Sequence, residues 1–208
     1  MKKLLFALPL LAAVPLVAQM PTEAPGAADP ARVTAGTYTV DSAHSQVGFE
    51  VMHLGFNPYF GLFGDVKGTL TLDPRNLAAA KVDVQVPVSS VVTSSKGLTE
   101  HLLRAGKAGA KPDFFGPSPA AARFVSTKVT PGADNKAVIE GNLTLNGVTR
   151  PISLEAEFSG AGVNPMNKKQ TVGFEAEGSI DRSQFGINYG IPMVDDEVEI
   201  EVTVAFEK

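Results

Sequence analysis

The chain has 208 residues, 44% of them apolar, with a formal net charge of −4 and no cysteine. That length supports one sizeable core rather than two. The acidity, with no Lys/Arg cluster to offset it, argues against a nucleic-acid binder held by phosphate contacts, and the missing thiols exclude disulfides, thiolate catalysis and cysteine metal sites.

In chain order, Lys2 and Lys3 precede an apolar run over 4–17, the charged and hydrophobic regions of a secretory signal peptide, with cleavage expected after Ala18. A membrane anchor fits less well, because the run is short and carries Pro9 and Pro15. The protein is therefore expected to be periplasmic or secreted, with no stable membrane anchor after cleavage. Residues 19–36 shift to Pro, Ala, Gly and Thr without periodicity and read as a disordered leader, which leaves 37–208 as the domain.

The stretch 37–56 opens that domain as a strand in which Val47, Phe49 and Val51 alternate with Gln46, Glu50 and Met52 after turn chemistry at 41–43. Two of the three histidines bracket it: His53 shares the face of Val47, Phe49 and Val51, and His44 shares the face of Gln46 and Glu50. Residues 54–62 read as an aromatic loop, with Gly55, Pro58 and Gly61 among Phe56, Tyr59 and Phe60. Strands follow at 64–72 and 81–88, the second with Val82, Val84, Val86 and Val88 on one face. Alternation stops over 89–122, where Leu98 and Leu102 after Ser95 suggest one short helix before a loop that carries Phe114 and Phe115. It resumes at 123–129, 138–145, 150–158 after an Asn146-Gly147 turn, 171–180 and 198–206.

This makes an all-β domain of eight antiparallel strands, with one short helix between the third and fourth. Such a set closes into a barrel or packs as a sandwich. Small residues, Gly68, Ala137, Gly141, Ala156, Ala176 and Gly178, fall on or near the apolar registers, and only 7% of the chain is aromatic, with no tryptophan. Any single glycine there reads first as a bulge or a relief of curvature. Together they predict an apolar cavity that is lined but not filled, and with it an apolar ligand.

The chain resembles the YceI-like, lipocalin-like polyisoprenoid-binding family. The resemblance rests on an ordered set of motifs over 37–208: YTVD at 38–41 with His44 and Ser45, FEVMHLG at 49–55, the segment 61–68, DFF at 113–115, FVST at 124–127, GNLTLNGVT at 141–149, IDRSQFG at 180–186, and Asp196 with Val198. It implies an eight-stranded up-and-down barrel whose interior holds a long isoprenoid or similar lipid, in an exported bacterial protein. One departure stands out: where the family often has an Asp-x-His pattern near the helix start, this chain reads Thr99-Glu100-His101.

On this reading Val47, Phe49 and Val51 form cavity wall and His53 is a polar contact on it. Phe56, Phe60, Phe63, Phe114, Phe115 and Phe185 are expected to line an entrance where His101 or Arg182 meets a polar head. Arg182 beside Asp181 also suits an ion-paired turn. The function expected is a non-catalytic carrier or reservoir with no catalytic residue, no metal, and no cofactor beyond the bound isoprenoid lipid or quinone. The alternative is a metal-assisted or hydrolytic periplasmic enzyme using His44, His53 or His101. His44 and His53 lie on opposite faces roughly 30 Å apart along a straight strand, which weighs against a shared ion, and no Gly-x-Ser-x-Gly elbow occurs. Oligomeric state is left open, a dimer included.

Overall fold

The computed structural model describes residues 23–208, so the expected signal peptide lies outside the described residues. These form eleven strands and one α-helix: β1 (Gly36–Val40), β2 (Gln46–His53), β3 (Asn57–Phe63), β4 (Lys67–Leu72), β5 (Lys81–Val86), β6 (Val92–Thr93), α1 (Lys96–Leu103), β7 (Ala122–Pro131), β8 (Lys136–Leu145), β9 (Val148–Val163), β10 (Gln170–Asp181) and β11 (Glu197–Glu207). All pairings are antiparallel. The order β1-β4-β5-β7-β8-β9-β10-β11 returns to β1 through Thr39↔Glu207 and Val40↔Phe206. Eight strands thus close an up-and-down barrel, each beside the next one in the ring, and closure removes the edges that a sandwich would leave.

The opening stretch is not one strand but two halves of a strand position. Both β1 and β2 pair with β11, against Phe206 and Glu207 and against Glu199 to Thr203 respectively. Between them Asp41 caps a 3-10 turn by accepting from the Ala43 amide at 3.2 Å, while Ser45 Oγ donates to the Asp41 carbonyl at 2.7 Å. After this break β2 doubles back as β3, which takes the short β6 as its neighbour. The wall therefore parts at one end, between β6 and β7. The segment 94–121, including α1, runs between them, and Phe115 ties back to α1 by donating to the Leu102 carbonyl at 3.0 Å.

Two expectations need correction. Residues 57–63 are a strand, not an aromatic loop: the turn before them is made by Leu54 and Gly55 at φ 54° and 67°. Pro58 is tolerated because β6 reaches only Gly61 and Leu62, which leaves 57–60 as a free edge. Gly61 suits its place because the Phe49 ring lies across it, so that a Cβ would sit 2.3 Å from Phe49 Cζ and push the ring aside. Nor is the described part of the leader disordered. Ala27 pairs with Ala161 in both directions, at 3.1 and 2.9 Å, Pro30–Arg32 forms a 3-10 turn capped by Asp29, and Val33 is buried in the core.

That core lies at one end, the floor, where β1 begins and β11 ends. Tyr38 and Val172 are fully buried and Phe206 is 3% exposed. Phe158, Phe174 and Phe206 stack in sequence, with centroids 5.6 and 6.3 Å apart. Tyr38 donates its hydroxyl to the Thr34 carbonyl, and the Lys208 ammonium sits 4.6 Å above its ring. Buried Glu207 accepts from Asn167 at 2.9 Å and from Asn164 at 3.1 Å, with Lys169 at 3.2 Å. These bonds, that to Asn167 foremost, hold its carboxyl below the usual range and pin the 164–169 turn.

Candidate functional site

Above the floor the barrel is hollow. A cavity of about 680 Å³ runs from Val33, Leu72 and Phe206 to Tyr59, His101, Phe114 and Tyr189 at the opposite end, the mouth. Its wall is the inward register of the strands. Val198, Ile200, Val202 and Val204 of β11 point into it and stay only half-buried, because no side chain meets them from across the barrel. The volume falls within the about 300–1,000 Å³ of small-molecule sites.

The space comes only in part from where the small residues suggested. Ala137, Ala156 and Ala176 do line the cavity. Gly141 does not supply room: the Phe124 ring lies over it, and a Cβ there would be 2.4 Å from Phe124 Cζ. The void follows from aliphatic side chains too short to meet across an eight-stranded ring.

Of the residues expected at a site, the structure brings Val47, Phe49, Val51, His53, Phe63, His101, Phe114, Phe115 and Arg182 together around one cavity. Phe49, Phe63 and Phe115 form a chain of ring contacts at 5.5 and 6.1 Å. Three others fall elsewhere. Phe56, at the β2–β3 tip, is 84% exposed, and Phe60 is 59% exposed on the outer face of β3, since it alternates with the inward Tyr59. Phe185 is buried off the cavity, where its carbonyl accepts from Asn146 Nδ2 at 3.0 Å.

The mouth is capped by α1 with its following loop and by residues 182–196. Arg182 organises the second. Nε donates to the Asp195 carbonyl (2.8 Å), Nη1 to those of Ile187 (3.0 Å) and Tyr189 (2.9 Å), and Nη2 to that of Val194 (2.8 Å). This corrects both expectations for it. It does not pair with Asp181, whose carboxylate accepts from Gln184, and its donors are directed at backbone rather than at a headgroup. Burial pulls its pKa down, countered by Asp196 and Asp195. Asp196 itself accepts from the Ser183 hydroxyl (2.6 Å) and amide (2.7 Å), and the hydroxyl contact foremost lowers its pKa.

His101, on α1, stands edge-on to Phe114 at 5.2 Å and to Tyr189 at 5.3 Å, which joins the two caps over the mouth. Its Nε2 lies 2.8 Å from Asp113 Oδ2, and Arg104 Nη2 lies 2.8 Å from both. A protonated Nε2 donates to the carboxylate, and a bare one accepts from Arg104. The Arg104 hydrogen bond, then that of His101, holds the Asp113 pKa below its usual value. Tyr59, also on the wall, has its hydroxyl 3.2 Å from Ser94 Oγ. The third histidine, His44, is exposed on the outside, with Nδ1 2.7 Å from Asp41 Oδ2, where it braces the turn that splits β1 from β2. Among the described residues no three His, Cys, Asp or Glu side chains are grouped to hold a metal ion.

Sequence reasoning missed Ile187, Tyr189 and Val194 as wall residues. Nothing periodic marks them, because the Arg182 bonds that fold their loop inward link a side chain to backbone.

The rim is unusually apolar. Among the described residues, eight of the twelve exposed large apolar side chains, Met52, Leu54, Phe56, Phe60, Leu62, Val92, Tyr189 and Met193, belong to the β2–β3–β6 flap and the 182–196 cap. The two are joined where Leu54 donates to the Met193 carbonyl at 2.6 Å and Asp195 to that of Met52 at 3.0 Å.

Comparison with known proteins agrees with this architecture. Residues 38–206 match the YceI-like domain. Protein YceI of Salmonella arizonae is 38% identical over 173 residues, covering 82% of this chain and 86% of that protein. The crystal structure of BcnA from Burkholderia cenocepacia, 25% identical, superposes with a TM-score of 0.64 over 80% of this chain and 98% of that one. A polyisoprenoid binding domain from Saccharophagus degradans, 12% identical, shares the fold with a TM-score of 0.54 over 82% of this chain and 97% of that one.

Proposed function

The chain belongs to the YceI-like domain family, and from that premise we propose that it is an exported, non-catalytic protein that holds one long apolar lipid, a polyisoprenoid or quinone-like chain, in its barrel. The observation that carries the reading is the unfilled apolar cavity between a plugged floor and a capped mouth. Each buried methylene contributes about 0.8 kcal/mol, so a chain of about a dozen carbons reaches on the order of 10 kcal/mol before ordering costs. Capture therefore needs no covalent step. The S. degradans domain, described as polyisoprenoid binding, adds support for this class of ligand on the same fold.

The polar end of such a lipid belongs at the mouth, where His53, Tyr59 and Tyr189 supply hydrogen-bonding groups on an otherwise apolar wall. Arg182 and Asp113 are already engaged and hold the caps. Export rests on Lys2, Lys3 and the apolar run at 4–17. The test is organic extraction and mass spectrometry of gently purified protein. We expect one isoprenoid-class lipid per barrel from the native host; recovery of none, from native and heterologous hosts alike, overturns the proposal.

A further inference from the structure

We propose that the rim of the mouth is a membrane-docking surface that seats on an anionic lipid bilayer, so that the cavity opens directly onto the acyl region. This rests on the carrier reading above, because a cargo that avoids water needs a dry path between bilayer and barrel. Tyr189 connects the two surfaces: it lines the cavity and is 48% exposed on the rim. Beside it Met193 is 63% exposed, and Phe56 projects at 84% from the tight turn at Leu54 and Gly55. Rings and thioethers raised on turns form a convex point suited to wedging among lipids, where an aromatic at the headgroup level is favoured.

Charge selects the bilayer's sign and the orientation. On this cap Arg104 is taken by Asp113 and Lys96 by Glu100, which leaves the exposed Lys107 and Lys111 as the cations that can face a bilayer. Each cation near an anionic surface contributes about fivefold to partition at about 1 kcal/mol. The barrel wall is the reverse. Glutamates face one another across strands, Glu50↔Glu199, Glu155↔Glu177, Glu157↔Glu175 and Glu177↔Glu201. Such pairs destabilise the sheet, and the three on β9, β10 and β11 keep that side wall away from anionic lipid, which leaves the lysine-bearing side of the mouth as the approaching one. A second copy fits this patch less well, since it would stopper the opening the cargo must pass.

The test is flotation of the full protein with phosphatidylethanolamine/phosphatidylglycerol vesicles, alongside phosphatidylcholine vesicles, for the parent, for Phe56→Ser/Met193→Ser and for Lys107→Ala/Lys111→Ala, with extracted lipid measured in parallel. All four side chains are exposed and off the cavity wall. We expect the parent to float with the anionic vesicles, the first variant to lose about tenfold or more in partition, and the second to lose severalfold on anionic vesicles only, each with unchanged cavity lipid. A parent that ignores vesicles, a first variant that binds like the parent, or a parent dimer that the first variant dissociates without vesicle binding overturns docking. Lipid recovered from such a protein still leaves the carrier reading standing, whereas vesicle binding by a lipid-free protein upholds docking and removes the carrier reading.

Discussion

The floor and the mouth are made by the same strands, and they use side chains in opposite ways. At the floor Tyr38, Phe158, Phe174 and Phe206 fill the ring, the leader from Ala27 to Val33 covers it, and the buried carboxylate of Glu207 has its partners. At the mouth the inward positions hold valines and isoleucines that do not meet, and closure passes to loops held by Arg182 and by the His101–Phe114–Tyr189 ring contacts. Stability and capacity are thus separated along the barrel axis. Filling one end secures the ring and allows the other to stay empty.

Mutations should break this contrast unevenly. The largest effect is expected from Phe206→Ala, which removes a ring 3% exposed at the seam with β1 and should cost about 3–5 kcal/mol in chemical denaturation. Arg182→Met should come next. It strands four backbone carbonyls, and because the cap can relax, the loss should be about 3 kcal/mol; hydrogen exchange should rise over 182–196 with the floor unaffected. A matched pair sharpens the comparison: Val172→Phe at the fully buried floor should cost about 1–3 kcal/mol by overpacking, while Val202→Phe, into the void, should cost less than about 1 kcal/mol and lower lipid occupancy in extraction.

The smallest effects concern acid. Glu207 at the floor and Asp113 at the mouth both have folded pKa values below their ordinary ones. Their stabilisation is complete above the ordinary carboxylate range near pH ~4 and is lost as pH falls through the depressed values. Glu207→Gln should cost about 1 kcal/mol at neutral pH and flatten part of the acid limb of stability. Asp113→Asn should leave the neutral denaturation midpoint nearly unmoved, and its effect should show as faster exchange in α1 and the following loop.

What could be read from the sequence divides along the same axis. The wall strands were legible because their valines alternate without interruption, at 82–88 and 198–206, and a buried face forces that register. The flap was not, because Pro58 and Gly61 carry loop chemistry and are admitted only by a free edge and by the ring of Phe49. The leader was misread for a related reason: Ala27 and Val33 have no periodicity of their own and gain order from Ala161 and the core. As for the site, the wall residues on β2 were predictable from alternation, whereas Phe56 and Phe60 were aromatic without being inward. Arg182 was singled out for its charge, but its work is to arrange carbonyls that no local pattern identifies.

The pairing of Val40 with Phe206 also sets an order of events. The first strand of the ring has the last as one of its two neighbours, so the seam cannot form until nearly the whole domain is present. Contacts so distant in sequence fold slowly, on the millisecond-to-second scale of β-rich domains. A chain delivered N-terminus first would carry β1 with one edge open until β11 arrived. For this barrel, then, the vulnerable moment is the interval before closure, and shortening β11 by its final residues should trap the protein there.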